Sequence, residues 1–274
     1  MKPQRIGKDV KALLEMSVQD DLIITPALNE FIVGWDQNHT PKALASLIKT
    51  TSTKQRDRSA AWSASGISKC MRRQELTFLG MPALGTTDAH LQLIFDHGTW
   101  IHRKWQTILL TAGILNSTES TIRKRSIRAR CSMDGEGIAL MGRYKGREFG
   151  FELKGRNDWQ YSKQVMLGVD EATRSQVDFS FMLSGLDVWV VLNENKNNQQ
   201  LKEWVFTRDD DRVNSMRKLV KELNRAIDTQ RLHPMLPECQ KQLRNGEFFQ
   251  CPFGSKGGAC LSSGNWPQRI PNGK

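Results

Sequence analysis

The feature that most constrains this chain is the heptapeptide FGFELKG, which begins at Phe149. Side chains alternate between the two faces of a β-strand, so Phe149, Phe151 and Leu153 point one way. Their three apolar side chains predict a strand that is anchored in a hydrophobic core. Glu152 and Lys154 point the other way and place a carboxylate beside an ammonium group. Such a pair is either a solvated surface ion pair or part of a functional site.

A second carboxylate, Asp134, ends an earlier strand-like segment in the sequence MDGEG. The two glycines allow a sharp turn, and a hairpin of this length can bring Asp134 next to Glu152. Two neighbouring carboxylates repel each other, and a hard divalent cation relieves that repulsion. Such a cation can polarise a phosphodiester oxygen, while Lys154 orients water or neutralises charge developing on phosphorus. These residues indicate phosphodiester hydrolysis with Mg²⁺ or Mn²⁺.

Two helical segments each place a polar side chain next to apolar positions. The first spans about residues 88–112 and carries His102. A histidine there is either a satisfied core residue or a nitrogen ligand, which would favour manganese. The second spans about 169–184, and its predicted inner stripe runs from Ala172 through Gln176. Because burying an unsatisfied amide costs about 1–3 kcal/mol, we expect Gln176 to hold water or a phosphate oxygen.

The order of the elements predicts the fold class. A helix predicted to be capped by Ser65 precedes the first long helix, which is followed by β-like segments at 121–134, 137–142 and 147–155. The second long helix comes next, then the strands LDVWVVLN and LKEWVFT, and then a helix capped by Asp209. This order is typical of α/β or mixed α+β proteins, in which helices flank a mixed central sheet.

Composition along the chain predicts its division into parts. The segment KTTSTKQRDRS contains no apolar residue and is typical of a basic linker, which places a boundary near residue 60. Before it, helical patterns cover about 4–16 and 41–49. The expected parts are an N-terminal helical extension with its linker (1–60), the core (61–235) and a Cys-rich C-terminal segment packing on the core (236–274).

Charge predicts the class of partner. The chain carries 40 Lys plus Arg against 29 Asp plus Glu, a net charge of +11. This excess attracts polyanions, of which nucleic acid is the commonest. No apolar run approaches the ~18 residues of a membrane helix, and the charged N-terminus MKPQRIGKDVKALLEM does not fit a signal peptide. We therefore expect a cytoplasmic protein that binds nucleic acid and no membrane.

The joint order of the motifs resembles that of RecB-type exonucleases in the PD-(D/E)xK nuclease superfamily. The likeness rests on the His of GTWIH, the Asp of MDG, the segment ELK and the Gln of SQV. It implies a restriction-endonuclease-like core and a metal-dependent DNA exonuclease serving recombination, replication or nucleotide salvage. A structure-specific or nicking endonuclease and a catalytically inactive nucleic-acid-binding module are the alternatives. The strand pair after the Gln is similar to phage-type relatives, which implies a bacterial or phage-infected cell and recombination or replication proteins as partners.

The resemblance also assigns roles to residues. It implies that Lys154 is the catalytic lysine and that Gln176 is the helix residue of the last core motif. Where RecB-type enzymes often carry Tyr, four residues after the Gln, this chain has Ser180. The implied metal ligands are His102, Asp134, Glu152 and the backbone carbonyl of Leu153.

The chain has five cysteines, and an odd number argues against a disulfide framework. The segment SASGISKCMRRQELTFLGMP resembles the opening of the superfamily's iron–sulfur members, in which one Cys precedes the core and three follow it. This resemblance implies that Cys70, Cys239, Cys251 and Cys260 hold a 4Fe–4S cluster in a C-terminal clasp. Structural Zn²⁺ and unligated thiols remain the alternatives. Cys131 is expected to be a small core residue. The tail lacks an apolar stripe, so we expect little else to fix it.

Overall fold

The computed structural model describes residues 22–33, 60–83, 89–237, 239, 251–254 and 258–268. The helices predicted near 4–16 and 41–49 and the basic linker lie outside these residues. The helices are α1 (Ile24–Val33), α2 (Met71–Phe78), α3 (Ala89–Thr111), α4 (Asp158–Leu167), α5 (Glu171–Ser184), α6 (Asp210–Asp228) and α7 (Ala259–Ser262). The strands are β1 (Trp62–Ser63), β2 (Leu115–Thr118), β3 (Thr121–Lys124), β4 (Ala129–Ser132), β5 (Gly135–Ile138), β6 (Glu148–Arg156), β7 (Val188–Asn195) and β8 (Leu201–Thr207).

The fold is mixed α+β, as predicted, but it contains two sheets among the described residues. The larger sheet has the order β2-β5-β6-β7-β8, in which β6 and β7 are parallel and the other neighbours are antiparallel. The smaller sheet has the order β1-β4-β3. The segment 121–134, predicted as one strand, folds back on itself, and Ile122 pairs with Cys131. No described helix combines the length and apolarity needed to cross a membrane.

Strand β6 lies at the centre of the larger sheet. Phe149, Phe151 and Leu153 are fully buried in the hydrophobic cluster that includes side chains of α1 and α3, which confirms the alternation predicted from FGFELKG. On the opposite face, a Cβ at Gly150 would lie 2.4 Å from the ring of Trp189. Glycine at this position therefore lets the indole pack flat against the strand that carries the two charged residues.

The helix expectations were correct for α6 and for α3, which was predicted at about 88–112, and partly wrong for α2 and α5. Asp209 caps α6 by accepting hydrogen bonds from two backbone amides, as predicted. The prediction that Ser65 caps α2 was wrong. Cys70 is the cap, because its sulfur accepts a hydrogen bond from the Arg73 amide at 3.3 Å. Ala172 was also misplaced, since it is exposed on the outer side of α5.

The C-terminal segment is fixed to α2 by buried polar side chains, contrary to our expectation that little besides a metal would hold it. Arg72 is 6% exposed and donates hydrogen bonds to the carbonyls of His233, Cys260 and Gly264. Glu75, fully buried, accepts from the His233 amide at 2.9 Å and contacts its ring. A buried guanidinium and carboxylate with these partners hold the segment without any apolar stripe.

Candidate active site

The hairpin of β5 and β6 places Asp134 beside the polar face of β6. Gly135 pairs with Phe151 in this antiparallel ladder. The Asp134 amide donates to the Phe151 carbonyl at 3.1 Å, and the Leu153 amide donates to Asp134 Oδ2 at 2.8 Å. The carboxylate is therefore held on the backbone that flanks Glu152, as the hairpin argument predicted.

Glu152, Lys154 and Gln176 form one connected group. Lys154 Nζ donates to Glu152 Oε1 at 2.6 Å and to Gln176 Oε1 at 2.8 Å. Glu152 is only 5% exposed, whereas Lys154 and Gln176 are half-buried. The ammonium thus bridges β6 and α5. A solvated surface ion pair, the ordinary interpretation of Glu-x-Lys on a strand, does not describe a carboxylate this deeply buried.

Helix α3 contributes two residues to the Asp134 turn, and the sequence argument found only one of them. His102 Nδ1 lies 3.3 Å from Asp134 Oδ1. Gln106, missed from the sequence, donates from Nε2 to the Asp134 carbonyl at 2.8 Å and to Glu119. The sequence did contain a signal for Gln106: it lies four residues after His102, and residues four apart share one face of a helix.

The electrostatics of the site follow from burial and close charges. Burial raises the pKa of the Glu152 carboxyl, and the nearby Asp134 charge raises it further, against the lowering effect of Lys154. Burial alone would lower the pKa of His102. The hydrogen bond and charge of Asp134, with the charge of Glu152, outweigh that effect, so the pKa of His102 is raised. The raised pKa of His102 reflects the two neighbouring carboxylates, which also attract a cation, whereas that of Glu152 reflects mainly its burial.

The first turn of α5 is fixed by polar contacts, and this turn sets the position of Gln176. Asp170 caps the helix by accepting from the Thr173 amide at 2.7 Å. Arg156, at the end of β6, donates to Asp170 at 3.1 Å and to the Thr173 hydroxyl at 3.0 Å. Strand β6 therefore carries Lys154 and also, through Arg156, fixes helix α5, which carries Gln176, the partner of Lys154.

Ser180 stands at the position where RecB-type enzymes often carry Tyr, and here it faces the core. Its hydroxyl donates to the Gln176 carbonyl at 2.8 Å and lies 3.1 Å from the sulfur of Cys131. Both residues are buried, and burial raises the pKa of the Cys131 thiol to about 12. Cys131 therefore packs as a core residue, as expected.

The donor chemistry of the site suits a hard divalent cation. His102 supplies a nitrogen, and Asp134 and Glu152 supply oxygens, the ligand types that Mg²⁺ and Mn²⁺ accept. Within the described residues, no three His, Cys, Asp or Glu side chains are already gathered closely enough to hold an ion. Glu152 instead directs one oxygen to the Lys154 ammonium. The backbone amide of Leu153 donates a hydrogen bond to Asp134. A role for the Leu153 carbonyl as a metal ligand stays a prediction.

Four of the five cysteines line one small pocket, which lies between α2 and the C-terminal segment: Cys70, Cys239, Cys251 and Cys260. None of the five cysteines forms a disulfide within the described residues. Burial, together with the other thiols of the pocket, raises the pKa values of Cys70 and Cys260. The one Cys that precedes the core and the three that follow it therefore meet in a single pocket. The described side chains form no ready-made metal-binding group here either.

Comparison with known proteins gives structural likeness only. No family model matches the chain, and no curated protein matches it. An alkaline exonuclease (LHK-Exo) from Laribacter hongkongensis is 15% identical, with a TM-score of 0.44 over 76% of this chain and 98% of that one. The structure of LHK-Exo in complex with dAMP is 17% identical, with a TM-score of 0.46 over 76% of this chain and 98% of that one. The structure of SSO0001 is 12% identical, with a TM-score of 0.45 over 77% of this chain and 90% of that one. Likeness at this level says nothing about the chemistry of this chain, which has to come from its own residues.

Proposed function

We propose that this chain is a divalent-cation-dependent DNA nuclease whose active site is the polar face of β6. The observation that carries the proposal is the buried Glu152 carboxylate, which shares its surroundings with Asp134 while Lys154 bridges it to Gln176. Keeping a buried carboxylate close to a second, partly exposed one raises the free energy of the folded state. A cation site gives this arrangement a function, and the net charge of +11 suits a polyanionic substrate.

The roles of the residues follow from their contacts. His102, Asp134 and Glu152 would hold Mg²⁺ or Mn²⁺, which supplies Lewis-acid polarisation of a phosphodiester oxygen. Lys154 is half-buried and fixed from two sides, so its ammonium can stabilise negative charge on the phosphoryl group without first reorganising. Gln176 holds that ammonium in place and can accept a hydrogen bond from water.

Two other functions fit parts of the same site. A structure-specific or nicking endonuclease would use the same residues and differ in how DNA reaches them. An inactive nucleic-acid-binding module would have no use for a buried Glu152 carboxylate next to Asp134, and this arrangement argues against it. We propose the exonuclease form because the motif order resembles that of RecB-type exonucleases.

An exonuclease needs a DNA end, which gives the first test. We expect a linear duplex to be degraded to nucleotides in Mg²⁺, while a covalently closed circle of the same sequence stays intact, because the circle offers no end. Gel electrophoresis of both substrates, with a restriction-cut sample of the circle as the control, measures this. Cleavage of the circle at the rate of the linear form would select the endonuclease instead.

We further propose that the four pocket cysteines hold a 4Fe–4S cluster. The support is their common pocket between α2 and the C-terminal segment, together with the position of Cys70 at the N-terminus of α2, where its sulfur accepts a hydrogen bond from the Arg73 amide. A bound cluster supplies four iron–thiolate bonds that would tie the C-terminal segment to α2. Structural Zn²⁺ would use the same thiols.

Anaerobically purified protein is expected to be brown, with broad absorbance near ~400 nm, because thiolate-bound iron–sulfur clusters absorb there. Cys251→Ser is expected to lose this colour, while Cys131→Ser keeps it, since Cys131 packs in the core away from the pocket. Absorbance and metal analysis of the three proteins measure the effect. Colourless protein with one equivalent of zinc would select the tetrahedral site, and metal-free protein would leave the thiols unligated.

A further inference from the structure

A second concave surface lies on the other side of α5 from the candidate active site. It is a groove of about 940 Å³ between α6 and the turn that joins β3 to β4. Gln176 faces the candidate active site and Met182 faces the groove. The two residues are six positions apart on α5, which separates them by about 9 Å along the helix axis and about 120° around it. None of the residues that line the groove belongs to the candidate active site.

The rim of the groove is basic: one of its cations ends β3, and the other four lie on α6. They are Lys124, Arg217, Lys218, Lys221 and Arg225. Residues 218, 221 and 225 are spaced by three and four, so their side chains form one ridge. All five side chains are exposed. A ridge of this kind concentrates positive charge along one edge of a concave surface.

The two acidic residues of the groove do not neutralise that rim. Asp228 pairs with Arg128 at 2.7 Å, and Glu222 meets His233 at 3.1 Å. In the part of the chain that the structure describes, the side chains of Lys218, Lys221 and Arg225 meet no carboxylate. Like charges held together without counter-charges favour an anionic partner.

The floor of the groove is apolar and contains no aromatic ring among the described residues. Ile127, Met182 and Val220 line it, and the aliphatic stems of the Lys and Arg side chains extend the apolar surface. Surfaces that bind single-stranded nucleic acid usually stack bases on aromatic side chains. An apolar floor beneath a cationic rim instead fits a chain that carries both an apolar side chain and carboxylates.

We propose that this groove binds an acidic peptide segment of a partner protein, with a large apolar side chain on the floor and carboxylates on the ridge of α6. The proposal is independent of the nuclease activity, because the groove shares no residue with the candidate active site. Its size is in the range of pockets that enclose small ligands, which is sufficient for a few residues of peptide.

The test uses the full-length protein and a fluorescein-labelled peptide, Gly-Asp-Glu-Asp-Glu-Leu-Phe, in fluorescence anisotropy titrations. Replacing Phe by Ala in the peptide is expected to weaken binding by at least about tenfold, because the apolar anchor is lost. The double variant Lys221→Glu/Arg225→Glu is expected to weaken it by about tenfold or more. Lys145→Glu, an equally exposed reversal outside the groove, is the control and should leave the affinity within about twofold.

Each other outcome overturns the proposal. Equal affinity of the Phe and Ala peptides would mean that the surface attracts any polyanion. An unchanged affinity of the double variant would place the peptide elsewhere. If oligo(dT) binds more tightly than the peptide and loses affinity in the same double variant, the groove is a nucleic-acid surface instead. The peptide substitutions leave the protein unchanged, so the test does not depend on how the variants fold.

Discussion

Replacing Lys154 by Ala is expected to reduce DNA cleavage by about 10²–10³-fold, the usual loss when one preorganised electrostatic group is removed. The ammonium bridges Glu152 and Gln176 at 2.6 and 2.8 Å, so its position is set before substrate arrives. Its removal also leaves a buried carboxylate without its partner, which raises the pKa of Glu152 further. Initial rates of nucleotide release from end-labelled DNA, with DNA affinity measured separately, test this.

The controls separate catalysis from folding. Lys163→Ala removes one positive charge from α4, where the side chain is exposed above Trp159, and should leave cleavage within about twofold of the wild type. Glu152→Gln preserves the shape of its side chain and is expected to lose cleavage to a similar extent as Lys154→Ala. Retention of more than about a tenth of the activity by Lys154→Ala, ~1.4 kcal/mol of barrier, would contradict the catalytic role.

The parts of the fold that could be predicted are those in which one local pattern decides the structure. The alternation in FGFELKG gave β6 with its buried and polar faces, and the cap and stripe that begin at Asp209 gave α6. The hairpin that returns Asp134 to β6 is also local, because it follows from two glycines and a short connection. In each case the pattern that decides the structure lies within one short segment of the sequence.

The elements that were missed depend on contacts between distant segments. Strand β1 is only two residues long and exists because Trp62 pairs with Ala129, far along the chain. Helix α4 has no continuous apolar stripe, since Trp159 is 69% exposed and Met166 is 81% exposed. Its cap, Asn157, and the packing of the sheet define it instead. Neither the β1 segment nor the α4 segment contains a sequence pattern that identifies the distant residues it contacts.

In the candidate active site, too, some features could be predicted from the sequence, and others depend on contacts between distant segments. The order of His102, Asp134, Glu152 and Lys154 led to the proposed chemistry, but the sequence could not show that Glu152 is buried. The contact of Gln106 with the Asp134 turn was missed because the acceptor is a backbone carbonyl, which no residue type marks. The role of Arg72 was missed for the same reason: its acceptors are carbonyls of residues more than 160 positions away.

Removal of divalent cations is expected to abolish cleavage, and this is the second large effect. The raised pKa of His102 reflects the negative charge of Asp134 and Glu152 on the polar face of β6. Without a cation, that charge repels the phosphodiester backbone at the point where it must approach most closely. DNA binding through exposed Lys and Arg side chains should persist, because it depends on their contacts with phosphates along the duplex.

The most direct measurement follows end-labelled linear DNA through one continuous digestion. Purified protein is incubated with Mg²⁺, an excess of EDTA is added, and a larger excess of Mg²⁺ or Mn²⁺ is added last. We expect nucleotide release in the first stage, none in the second and recovery in the third, with Lys154→Ala nearly inactive throughout. Undiminished cleavage in EDTA, or equal cleavage by Lys154→Ala, would contradict a cation-dependent nuclease site on β6.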